Sequence, residues 1–267
     1  MSGAQCAADH GESNTPSDPA DRAARCSAVR AGAPSAARHS DRMSDDVFVS
    51  PSVAQVLLLY DGLVDERAWK RTACAQIERL AERLLDGHRA GLPGAAVELH
   101  NWLPAAASRS PQELFNLSAS IEDALETVSR AHGFAGWSAA ASAGQRSGDA
   151  LLERAVELLL RGDVSSLAAA LASAPDITAR RSHYGHGATL LHYLAANGVE
   201  TYRQRVPRNA ATLASLLLRG GANPLATAKM YGAEHTTRAL LISSSHPADA
   251  GVADEVLAVL DGASRPA

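Results

Sequence analysis

Ala and Leu dominate this 267-residue chain, aromatic residues make up only 4% of it, and from Val53 onward apolar residues recur at helical spacing. These features predict an all-α protein. A third observation bears on how the helices are arranged. Leu216-Leu-Leu-Arg-Gly-Gly-Ala222 and Val256-Leu-Ala-Val-Leu-Asp-Gly-Ala263 are similar helix endings about forty residues apart. Self-similarity at such a period predicts stacked units.

Three segments follow in order. Residues 1–45 contain no Leu, Ile, Phe, Trp or Tyr, so they bury too little apolar surface to offset ordering entropy and are expected to form a disordered tail. Met43, just ahead of the first apolar residues Val47 and Phe48, is the expected translation start. A helical region should span 46–140, and repeat units 149–265. The cysteines Cys6, Cys26 and Cys74 are odd in number and widely spaced, which predicts no disulfide framework and a reducing, cytoplasmic setting. No apolar run reaches the length of a membrane span, and the N-terminus lacks the apolar core of a secretory signal.

Within the helical region, Val53, Val56, Leu57 and Tyr60 form a short apolar face that Asp61-Gly62 breaks. Trp69, Ala73, Ile77, Leu80 and Leu84 predict a longer helix from about Asp65 to Asp86, ended by Gly87 and Gly91. Val97, Leu99, Trp102 and Leu103 predict a shorter one. Ser110-Pro-Gln-Glu113 carries the residues of a capping box with Pro at the first helical position, and the stripe Leu114, Leu117, Ile121, Leu125, Val128 predicts one helix closed by Gly133. Phe134 and Trp137 are its large anchors, and 141–148 reads as a small-residue hinge.

The repeat segment divides at about 149–178, 180–223 and 227–263. In the first unit Asp149 and Asp163 cap two helices and Pro175 closes the second. In the second, helices are expected from Thr189 to Ala196 and from about Asn209 to Arg219, ended by Gly220-Gly221. In the third, Thr236-Thr237 opens a Leu240-Leu241-Ile242 helix, and Arg238 occupies a position where an apolar residue is expected.

Gly187-Ala-Thr-Leu-Leu-His-Tyr-Leu-Ala-Ala-Asn-Gly198 followed by Leu216-Leu-Leu-Arg-Gly-Gly-Ala222 resembles one ankyrin repeat, with Leu190 in place of the usual Pro and Leu194 in place of the first Ala. Together with His132-Gly-Phe-Ala-Gly-Trp137 ahead of the repeats, residues 75–265 are similar to bacterial ankyrin-repeat proteins. The resemblance implies a short helical solenoid after the helical region. It also implies a protein-binding function, and a structural role for Gly187, Thr189, Leu191, His192, Gly198 and Gly221. In that family Thr189 and His192 would tie the turn to its helix and to the next repeat.

Net charge is −4 but uneven: residues 46–178 carry a net −6, and residues 179–232 carry seven basic side chains against one acid, Glu200. Such an island steers opposite-sign partners. Between Gly198 and Leu216 lie seventeen residues where a plain repeat needs roughly six, so 199–209 is expected to be an exposed insertion. Its Arg203, Arg205 and Arg208 are forked donors for carboxylates. With Tyr184, His186 and Tyr202 they are the candidate residues for a protein partner, expected to be acidic and to bind through the concave face of the stack and this insertion. The competing class is an enzyme or small-molecule binder using His183, His186, Tyr202 and Arg203. No catalytic motif, metal set, cofactor loop or nucleic-acid motif is present to support a more specific chemistry. An exposed insertion predicts that Arg203→Glu with Arg205→Glu leaves folding intact and abolishes partner capture.

Overall fold

Ser50 opens the first helix in the computed structural model, which describes residues 46–263. Its hydroxyl accepts the Val53 N–H at 3.4 Å, and Pro51 takes the first helical position of α1 (Pro51–Leu59). The expected tail, the Met43 start, Cys6 and Cys26 lie outside the described residues.

The predicted 65–86 helix begins later. Asp65 accepts both the backbone N–H and the guanidinium of Arg67, which turns the chain. Thr72 then caps α2 (Ala73–Arg89) by accepting the Ala75 N–H at 3.1 Å. Trp69 therefore precedes the helix. Gly87 does not end α2. It lies within it because α1 packs there: a Cβ at Gly87 would collide with the Leu59 side chain. Gly91, with φ +69°, is the residue that ends the turn before α3 (Pro93–Trp102).

The capping box at Ser110 and Glu113 forms, yet α4 stops at Phe115 (Pro111–Phe115). A second box, in which Ser120 and Asp123 exchange backbone–side-chain bonds of 2.9 and 3.1 Å, starts α5 (Ile121–Ala131). The single predicted helix is thus two, because Ser120 competes as a start signal. Leu114 and Val128 still reach one core. Helix α6 (Trp137–Ala143) follows.

Asp149 and Asp163 cap α7 (Ala150–Leu160) and α8 (Val164–Ser173) as expected. The next helix is shorter than predicted. After α9 (Leu190–Tyr193), bonds from Leu194, Ala195 and Ala196 run to residues three back, and Ala196 takes φ +46°, which closes the helix. α10 (Ala210–Arg219) completes that unit. The third unit has α11 (Thr237–Ile242), α12 (Ser245–Asp249) and α13 (Ala253–Ala263). Arg238 faces solvent and pairs with Asp261, so the expected conflict with the core does not arise.

The helices of 149–263 form two rows. α7, α9 and α11 pack in succession, and so do α8, α10 and α13. Each pair also packs across: α7 on α8, α9 on α10, α11 on α13. One apolar core runs from Leu152 to Leu260, and a second lies under α1–α6. Among the described residues no helix is long and apolar enough to cross a membrane.

The described residues are mostly helical, with two small antiparallel sheets among them that the all-α expectation omitted. β1 (Val47–Phe48) pairs with β2 (Val206–Pro207). β3 (Thr227–Met230) pairs with β4 (Ala233–Thr236), with Met230 opposite Ala233. Their turn, Tyr231-Gly232, has φ +53° and +81°, as a tight two-residue hairpin requires.

A Cβ at Gly94 would meet the Gln55 backbone carbonyl, whereas Gly262 in α13 faces open space. Gly94→Ala is expected to lower stability by about 1–3 kcal/mol through overpacking, and Gly262→Ala to raise it by roughly 0.5–1 kcal/mol through helix propensity. Urea unfolding of both variants measures the two effects.

Candidate functional site

The insertion is a buried wedge. Val199, Glu200, Thr201, Tyr202, Arg203 and Val206 are all buried. Its length serves to reach between the two cores: Tyr202 joins the core of α1–α6, edge-on to Tyr60 with ring centroids 6.1 Å apart. Pairing of β2 with β1 and the Arg208 N–H to Asp46 carbonyl bond of 2.8 Å fasten its far end. The expectation of an exposed docking loop is corrected. Apolar Val199, Tyr202 and Val206 favour burial, and nearby carboxylates receive the arginines.

Arg203, 3% exposed, donates to Glu153 of α7 at 2.5 Å and to Glu200 at 3.1 Å. Its guanidinium also lies over the Tyr193 and Tyr202 rings, 5.7 Å from each centroid. Arg205 donates to both oxygens of Glu157, one helical turn along, at 3.0 and 2.9 Å. Arg208 donates to the Ala250 carbonyl at 2.9 Å. Elsewhere in the basic island, Arg180 pairs with Asp149 and Asp176, and Arg181 donates to the carbonyls of Gly187 and Thr227. Arg180, Arg203 and Arg205 of the basic island are therefore ion-paired within the chain, while Arg181 and Arg208 donate to carbonyl groups. Glu153 and Glu157, four apart at the edge of the apolar face of α7, are the readable signal that sequence reasoning missed.

The remaining candidates converge on the same interior. His186 Nδ1 accepts the Ala188 N–H at 3.0 Å, which leaves Nε2 facing Glu200 at 3.5 Å. His183 Nδ1 is 3.5 Å from Glu153, and its ring lies 4.1 Å from that of Tyr184. Tyr184 in turn packs edge-on to His132 at 4.6 Å. His132 donates from Nδ1 to the Val128 carbonyl at 2.7 Å, so its Nε2 accepts the Tyr202 hydroxyl at 3.4 Å. The surrounding backbone is equally close. The Gly185 N–H bonds the His132 carbonyl at 2.9 Å, and a Cβ at left-handed Gly133 would strike His186. The 132–137 motif and the 183–187 turn are thus the two faces of one joint. His183, His186, Tyr202 and Arg203 do come together, but buried, with no face presented to a substrate. Among the described residues no three His, Cys, Asp or Glu side chains converge as metal ligands.

The repeat-motif residues lie where the chain turns. Gly187, Gly198 and Gly221 have φ of +57°, +73° and +89°. Thr189 donates from its backbone N–H to His192 Nδ1 at 3.2 Å, its hydroxyl lies 2.9 Å from the same atom, and Leu191 is buried. The opposite side of the His192 ring faces the backbone of Ala226 and His235 in the next unit.

The accessible concavity is elsewhere. A half-open cleft of about 500 Å³ lies between the end of α3 and the β3–β4 hairpin, lined by Trp102, Pro104, Arg130, Phe134, Lys229 and Tyr231. Neither the Trp102–Tyr231 pairing nor Lys229 as a site residue was legible from the sequence, because 127 positions separate Lys229 from Trp102 in the chain. No family model, curated protein or solved structure matches the chain.

Three buried groups set the pH response. Burial raises the Glu98 carboxyl from 4.5 to about 7, against hydrogen bonds from Thr201 and Tyr60. Burial lowers His132 and His192 from 6.5 to about 4. Burial alone would raise Glu200 too, but Arg203 and His186 outweigh it and hold that carboxyl well below the usual range.

Arg203→Glu with Arg205→Glu now predicts a chain with no cooperative thermal transition, because it adds two carboxylates to a buried group of three. Arg203→Ala alone is expected to cost about 3–5 kcal/mol. The stability that Glu98 contributes is complete below pH 4.5 and lost as pH rises through about 7. The His132 and His192 contributions are present above pH 6.5 and lost as pH falls towards 4. Glu98→Gln should therefore gain about 3 kcal/mol over the parent at pH 8 and nothing at pH 4.5, as read by urea midpoints at both pH values.

Proposed function

We propose that the chain is a protein-binding module built on a short ankyrin-like solenoid, with an acidic protein partner. The observation that carries this reading is the double row of helix pairs, α7/α8, α9/α10 and α11/α13, on one continuous core, with the β3–β4 hairpin leading into the last pair. Units that share a core side by side leave a long face free for another molecule. The Thr189–His192 contacts and the three left-handed glycines fit the roles that the resemblance implies. Burial of His183, His186, Tyr202 and Arg203 favours this reading over the enzyme alternative.

The binding face differs from the one expected of the insertion. Arg203 and Arg205 are engaged by Glu153, Glu157 and Glu200, so they serve the fold. Lys229 on the hairpin and Arg219 at the end of α10 remain exposed, and they favour an acidic partner through electrostatic steering. Capture on the immobilised chain from a lysate of its source organism, followed by reconstitution with the purified candidate, tests this reading. A stoichiometric complex that weakens at 0.5 M salt, roughly beyond the reach of exposed charge pairs, is the expected result. Absence of any reconstituted complex would overturn it.

A further inference from the structure

We propose that the cleft between α3 and the β3–β4 hairpin seats an aromatic side chain flanked by carboxylates, in an extended segment of the protein partner. This inference rests on the protein-binding reading above. Tyr231 is the key residue. It is 63% exposed, yet it is held from several directions. Trp102 stacks nearly parallel to it, at 5° and 6.2 Å between centroids, and its hydroxyl donates to Asn197 Oδ1 at 2.6 Å. Trp102 is itself fixed, since its indole N–H donates to Thr201 Oγ1 at 3.1 Å. An aromatic ring that is both exposed and immobilised binds another ring with little further loss of side-chain entropy.

The backbone adds a second, independent observation. Tyr231 occupies the left-handed region at φ +53°, where Gly or Asn sits with less strain. Such strain is concentrated at functional positions. Phe134 and Pro104 extend the apolar floor.

Charge selects the flanking groups. Arg130 lines the cleft and is steadied through Nε by Glu126 at 2.6 Å. Lys229 lines the opposite side, and no ion pair engages it among the described residues, although Glu234 is its cross-strand neighbour. Two cations beside an aromatic floor complement a ring with carboxylates two residues to either side of it, because side chains i and i±2 of an extended chain share one face. The volume, about 500 Å³, accommodates one ring and its neighbours.

The test is titration calorimetry of the full chain with the peptide acetyl-Asp-Ser-Phe-Ser-Asp-amide, beside the same peptide with Ala in place of Phe. Saturable binding of the Phe peptide is expected, about tenfold or more tighter than the Ala peptide. Lys229→Glu and Tyr231→Gly should each weaken it by about tenfold. Tyr231→Gly suits the left-handed turn, so its Tm should stay within about 3 °C of the parent, which separates lost binding from lost folding. Equal affinity for the two peptides, or undiminished binding by folded Tyr231→Gly, overturns the aromatic seat. Failure of the protein-binding reading looks different: no partner forms a complex with the unaltered chain. A partner held equally by the parent and Tyr231→Gly leaves that reading standing and removes this one.

Discussion

Arg203 is the interaction on which the rest of the structure depends. Its guanidinium lies between Glu153 of α7 and Glu200 of the insertion, under two tyrosine rings, so it bonds the insertion to the helix stack at a buried point. A buried charge is tolerated only when paired and hydrogen-bonded, and this requirement dictates what surrounds it. The carboxylates need the arginine, and His186, held by the Ala188 N–H, faces Glu200. His132 and Tyr202 extend the network to α5 and α1. The helical region and the repeat units are joined through this polar joint as much as through apolar contact.

This arrangement gives the uneven charge of the sequence a structural meaning. A basic island beside an acidic segment looks like a surface made for a partner, but most of it is matched to α7 and to carbonyl groups of the same chain. Residues with the richest chemistry, the histidines, tyrosines and arginines of 183–205, are spent on holding the fold. The open cleft lies apart from them: Thr201 accepts the Trp102 indole N–H, and Trp102 lines that cleft. The sealed site and the accessible one share the 201–203 turn.

Local signals in the sequence were dependable wherever a few adjacent residues settle the outcome. Ser110, Asp149 and Asp163 cap helices with side-chain bonds, and the left-handed glycines mark turns. Errors arose where two local signals competed. Ser120 divided the 110–131 helix, and Gly87 looked like a stop while it is a point of close approach to Leu59. Hydrophobic periodicity cannot separate these cases, since a helix break and a tight helix crossing use the same small residues.

By itself the sequence determined the helical class, the capped helix starts at Ser110, Asp149 and Asp163, and the glycine turns, because each depends on contacts within a few residues. Tertiary structure decided whether 199–209 faces water or the interior, which carboxylates meet Arg203 and Arg205, and that Trp102 and Tyr231 share a cleft. Those outcomes depend on pairs tens of residues apart: Glu153 with Arg203, Tyr60 with Tyr202, Trp102 with Tyr231. Charge and polarity say that an arginine needs a partner. Only the packing of the two cores says whether that partner belongs to the same chain.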